Sequence, residues 1–133
     1  MSNENWFNGE NILKNIKEDS KKRRANPLAC FCDFLEAIWM DNTAEEALFQ
    51  WKVKVEQFPW YADDALYCIN EVTNNPPLNL IELMQKHGWL YLCHQESPNE
   101  EPFTYEEYLE WLKKLHDQYQ AIYDNAPVHE DGN

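Results

Sequence analysis

The sequence predicts an all-α protein, a single-domain bundle of five or six helices. Three observations carry that expectation. Helix start and stop signals recur along the whole chain of 133 residues. Only three glycines occur, at 9, 88 and 132, too few for the tight turns of an all-β domain. The composition, 44% hydrophobic and 14% aromatic, belongs to a chain that buries a core, and its length suits one domain. The helical domain is expected over 1–126, with 127–133 as a flexible C-terminal tail.

A first helix is expected from about Glu10 to Arg24, with Ile12, Leu13 and Ile16 on one side. Asn26-Pro27 opens the second, Asn as N-cap and Pro at the first helical position. Thr43-Ala44-Glu45-Glu46 has the capping-box form and starts a third, carrying Ala47, Leu48, Trp51 and Val55. Pro59 begins a fourth, which Asn74-Asn75-Pro76-Pro77 stops. Asn79 is placed to cap a short fifth helix, ended by Lys86-His87-Gly88. A second capping box, Thr104-Tyr105-Glu106-Glu107, starts a last helix reaching to about Asn125. Trp89 to His94 is the ambiguous stretch, a short strand near 89–94 or a helical continuation, because so short an apolar run has no readable period.

Charge narrows the function. Eleven Lys and Arg against 24 Asp and Glu leave −13, which argues against gripping nucleic acid or an anionic membrane directly. The balance is uneven: residues 1–24 carry +2 and residues 25–133 carry −15. Lys21-Lys22-Arg23-Arg24 ends the first helix, where cations complement the dipole and can face acids elsewhere in the fold. The N-terminal residues lack the apolar core of a secretory signal. Cys30, Cys32, Cys68 and Cys93 then read as reduced thiols, and the expected location is cytoplasmic.

Helix faces differ in how their acids are answered. The second helix is apolar almost all round, with Asp33 and Glu36 as a narrow polar wedge and no nearby lysine. In the last helix, Lys113 and Lys114 stand at the spacing that answers Glu110 and Asp117. On the fourth, Tyr61, Ala65, Cys68, Ile69 and Val72 form the apolar side. Trp60, Asp63, Asp64, Tyr67, Asn70 and Glu71 form the other, with no Lys or Arg between Gln57 and Gln85. An acidic face bearing Trp and Tyr, with no cation on its own helix, suits a basic protein partner, since carboxylates steer and aromatics anchor. The acidic loop with Glu96, Glu100 and Glu101 is a further candidate contact.

Catalytic patterns are lacking. The chain has no Gly-rich phosphate loop, no His-Glu-x-x-His and no Gly-x-Ser-x-Gly, and its four histidines are scattered. Asp33-x-x-Glu36 and Glu107-x-x-Glu110 are the best enzymatic alternative, a magnesium site across the bundle. Such pairs arise by chance in so acidic a chain. The expectation is a binding protein without catalytic residues, cofactor or metal.

In its acidity, its helical pattern and the run Trp60-Tyr61-Ala62-Asp63-Asp64 with the loop Glu96 to Glu101, the chain resembles small bacterial toxin-immunity proteins. These are the inhibitors of contact-dependent growth inhibition and colicin-like systems. The resemblance implies a partner that is a basic protein toxin, a nuclease domain foremost; the charge argues against direct contact with nucleic acid or membrane, and the oligomeric state is left open, with a monomer favoured. Trp60, Asp63, Asp64, Tyr67, Asn70 and Glu71 would form the contact, flanked by Asp33, Glu36 and the loop. The rival readings are a nucleic-acid mimic that inhibits a restriction enzyme, and a helical adaptor with no electrostatic match.

Overall fold

A computed structural model describes residues 9–126, with side chains from Lys14 onward. The tail expected over 127–133 and the side chains of Ile12 and Leu13 lie outside the described residues. The helices are α1 (Gly9–Ala25), α2 (Pro27–Phe34), α3 (Ala44–Gln57), α4 (Pro59–Asn74), α5 (Leu80–Gly88) and α6 (Tyr105–Asp124). The all-α bundle is as the start and stop signals indicate. Among the described residues no helix is long and apolar enough to cross a membrane.

The helix ends show why these segments are helical. Asn26 Oδ1 accepts from the Ala29 amide at 3.3 Å, with Pro27 in the first turn. Both capping boxes close. Thr43 Oγ1 accepts from Glu46 N at 3.2 Å while Glu46 Oε1 accepts from Thr43 N at 2.8 Å. Thr104 and Glu107 repeat the exchange at 3.3 and 2.9 Å. Asn79 precedes α5 but its side chain makes no cap bond.

Helix α2 does not stop at Phe34. It runs on through a π turn, Leu35–Trp39, closed by Met40 N donating to Leu35 O at 2.9 Å. The wider turn lets two adjacent pairs, Phe34-Leu35 and Ile38-Trp39, all be buried, which places α2 at the bundle centre. Around it Phe34, Trp51 and Tyr119 form one aromatic cluster. Trp51 stacks on Tyr119 at 4.9 Å between centroids, and Phe34 meets both edge-on at 5.9 and 6.0 Å. The Trp51 indole N–H donates to Tyr119 O at 3.1 Å, so its one polar group is satisfied in the core.

The end of α5 departs from expectation. Gly88 is the last helical residue, and Trp89 takes the left-handed conformation, φ 55°, that a glycine usually supplies. Gly88 is needed for space instead: a Cβ there would stand 3.0 Å from Leu90 Cδ1 and 3.3 Å from Leu35 Cδ2. Residues 90–94 then form neither a helix nor a strand. A single antiparallel bridge joins Cys93 to Pro102, so the short strand considered for this stretch reduces to that bridge. Tyr108 pins the segment, its hydroxyl donating to Leu90 O and accepting from Leu92 N, both at 3.0 Å.

Candidate functional site

Asp64 stands three residues after Tyr61 and four before Cys68, so at ~100° per residue it sits at the edge of the buried stripe of α4. Its side chain is only 2% exposed. Oδ1 accepts from Ser20 Oγ at 2.6 Å and Arg24 Nε at 2.7 Å. Oδ2 accepts from Arg23 Nε at 2.8 Å and Nη2 at 2.5 Å. Burial pushes this carboxyl up, but the hydrogen bonds from Ser20, Arg24 and Arg23 outweigh it and hold the group below its ordinary value. The same contact with Asp64 raises the Arg24 guanidinium further above its usual range.

Arg24 also occupies the outer face of α4. Its Nη2 donates to Asp63 Oδ2 at 2.7 Å, and its guanidinium lies 4.7 Å from the Tyr67 ring centroid. At the start of α4, Lys54 Nζ stands 5.1 Å from the Phe58 ring and 5.2 Å from the Tyr61 ring. The face read from sequence as acidic and lacking cations is therefore answered by Arg23 and Arg24 of α1. Asp64, expected on the partner-facing side, is buried as the anchor of α1. Trp60, Tyr67 and Asn70 remain exposed and Glu71 half-buried.

The other expected contacts are scattered. Asp33 and Glu36 are exposed on α2, and Glu36 Oε2 takes a 2.6 Å contact with His87 Nδ1 of α5, a partner that a search for lysine misses. Glu96, Glu100 and Glu101 are exposed on the loop after the bridge. That loop is tied to α6 by His94, whose Nε2 lies 2.6 Å from Glu107 and whose Nδ1 lies 3.4 Å from Glu96. The hydrogen bond with Glu107, then that with Glu96, raises the imidazole above its ordinary value.

Helix α4 runs antiparallel to α6. Asp63 acts on Tyr123 near the end of α6, whereas Tyr105 at its start donates to Pro77 O at 2.9 Å, beyond the end of α4. Glu107 and Tyr123 are thus about 24 Å apart along the helix, at ~1.5 Å per residue. Asp63 and the acidic loop occupy opposite ends of the bundle and do not form one patch.

On α6 the sequence expectation also reverses. Among the described residues neither Lys113 nor Lys114 comes within ion-pair distance of an acid, and Glu110 has no partner. Sequence reasoning also passed over three large aromatics in solvent: Phe49 (64% exposed), Trp89 (54%) and Tyr91 (68%). The signal was present for two of them. In Trp-Leu-Tyr-Leu an extended backbone puts the aromatics on one face and the leucines on the other.

The carboxylate pairs considered for magnesium do not converge. Glu36 is engaged by His87, and Glu107 by His94 and the Thr104 amide. Among the described residues no three His, Cys, Asp or Glu side chains gather as metal ligands. No family model matches the chain, and no curated protein or solved structure shows significant similarity to it.

Proposed function

We propose that this protein is a stoichiometric, non-covalent inhibitor of a basic protein, acting as an immunity protein against a nuclease toxin. One observation supports the reading above the others. The two arginines of α1 are engaged by Asp63 and Asp64, so Glu45 and Glu56 of α3, Glu100 and Glu101 of the loop, and Glu106 and Glu110 of α6 make no ion pair among the described residues of a chain of net charge −13. Such a surface attracts a cationic domain at long range and discourages anionic partners. A nuclease is cationic because it grips phosphate, and carboxylates can stand where those phosphates would lie. Exposed Trp60, Tyr67, Trp89 and Tyr91 are available as aromatic anchors.

The test is a pull-down from the native host with this protein as bait, eluted by a salt step. A basic polypeptide recovered one-to-one, whose nuclease activity returns on dissociation, is the expected result. Recovery of neutral or acidic partners only, insensitive to salt, removes the proposal.

A further inference from the structure

Acids and aromatics come together on a side of the molecule that no sequence signal marked. A cleft of 420 Å³ opens between α3, the middle of α6 and the 90–92 segment, lined chiefly by Trp39, Leu48, Leu92, Trp111 and Leu115. Trp39 and Trp111 meet edge-on at 5.2 Å. The cleft continues at both ends. Through Glu45 it adjoins a 370 Å³ hollow that includes Glu46 and the exposed ring of Phe49. Through Trp111 and Lys114 it adjoins a 230 Å³ hollow that includes Glu107 and Glu110. The groove so outlined is an apolar cleft with an acidic hollow beside it on α3 and another on α6.

A further observation indicates an occupant. The charges at the ends are unspent. Glu45 and Glu110 make no ion pair among the described residues, and Lys114 is the one cation lining the three hollows.

We propose that this groove docks a segment of a cationic protein. A bulky apolar side chain of that segment enters between Leu48 and Trp111 above Trp39. Lysines or arginines on either side of it reach Glu45 and Glu46 at one end and Glu110 at the other. The inference rests on the reading of the chain as a binder of a basic protein, and it moves the main contact from α4 to α3 and α6. The cleft volume lies within the ~300–1,000 Å³ of ordinary ligand sites, enough for one aromatic side chain with its neighbours.

The experiment selects a random dodecapeptide library, displayed on phage, against the full chain. Synthesised winners are then titrated by fluorescence anisotropy. The expected peptides carry an aromatic or leucine flanked on both sides by Lys or Arg. Their affinity should fall about tenfold or more in the double variant Glu45→Lys with Glu110→Lys, since each reversal turns attraction into repulsion. It should rise severalfold in Lys114→Glu and stay unchanged in Asn70→Lys on α4. All four positions are exposed, so folding is kept. Enrichment of no such motif, or affinities that ignore the groove variants and respond to Asn70→Lys, overturns the proposal. Failure of the immunity reading looks different: the groove binds its peptides as expected, but the salt-eluted partner has no nuclease activity.

Discussion

Asp63 and Asp64 are adjacent in sequence and opposite in circumstance. Asp64 is surrounded by four donors and almost out of water, whereas the Asp63 side chain is 54% exposed and meets Arg24 at the surface. Removing the Asp64 charge strands two guanidiniums that keep only a quarter to a third of their exposure. Asp64→Asn should therefore cost about 2–4 kcal/mol in urea unfolding, below the full cost of breaking a fully buried pair because the arginines can partly rehydrate. Asp63→Asn should cost less than about 1 kcal/mol, as exposed pairs do. Equal losses in the two variants would contradict the anchor role of Asp64. The pattern was partly legible, since helical spacing alone places Asp64 beside Cys68. What spacing could not supply is the identity of its partners.

The helices themselves were read well where their ends carry local chemistry. Asn26-Pro27, the two capping boxes and the Asn-Asn-Pro-Pro stop all act within a few residues, and each marks its boundary closely. Helix α5 is the exception, because its terminal glycine answers to packing. Gly88→Ala places a methyl group 3.0 Å from Leu90 Cδ1 and should destabilise the fold by about 1–3 kcal/mol, despite the better helix propensity of alanine. An unchanged or raised melting temperature would mean that Leu90 yields freely. The π turn in α2 was equally hidden. It lies where Leu35, Ile38 and Trp39 are all buried and Trp39 meets Trp111, and no residue within α2 announces it.

For the molecule taken together, pH should act from two sides. The folded pKa of Asp64 is lowered, so its contribution is present above the ordinary carboxylate value, about 3.9, and is lost as pH falls through the folded value. The lowered carboxyls of Glu96 and Glu107 follow the same direction. His94 is opposite in sign. Its raised pKa means that its contribution is complete below about 6.5 and is lost as pH rises through the higher folded value. Amide exchange at His94, which bonds Glu101 O at 2.8 Å, should thus quicken above neutrality, beyond the intrinsic pH dependence of exchange, while the core amide of Leu112 shows no such excess. A loop whose protection ignores pH between 6 and 9 would remove His94 as its tie.

Fold class, helix boundaries and net acidity could be read from the chain because each rests on neighbours in sequence or on a simple sum. The distribution of that acidity could not. Helix α4 looked free of cations and α6 looked self-neutralised, yet the bundle brings Arg23 and Arg24 onto α4 and, among the described residues, leaves Lys113 and Lys114 without ion pairs. The Arg23 to Asp64 contact spans 41 residues, and no local pattern specifies which helix will deliver a charge across such a separation. Packing of apolar stripes decides that. The electrostatic surface a partner meets is a product of which helices lie side by side, which is why the groove between α3 and α6 emerges only once they do.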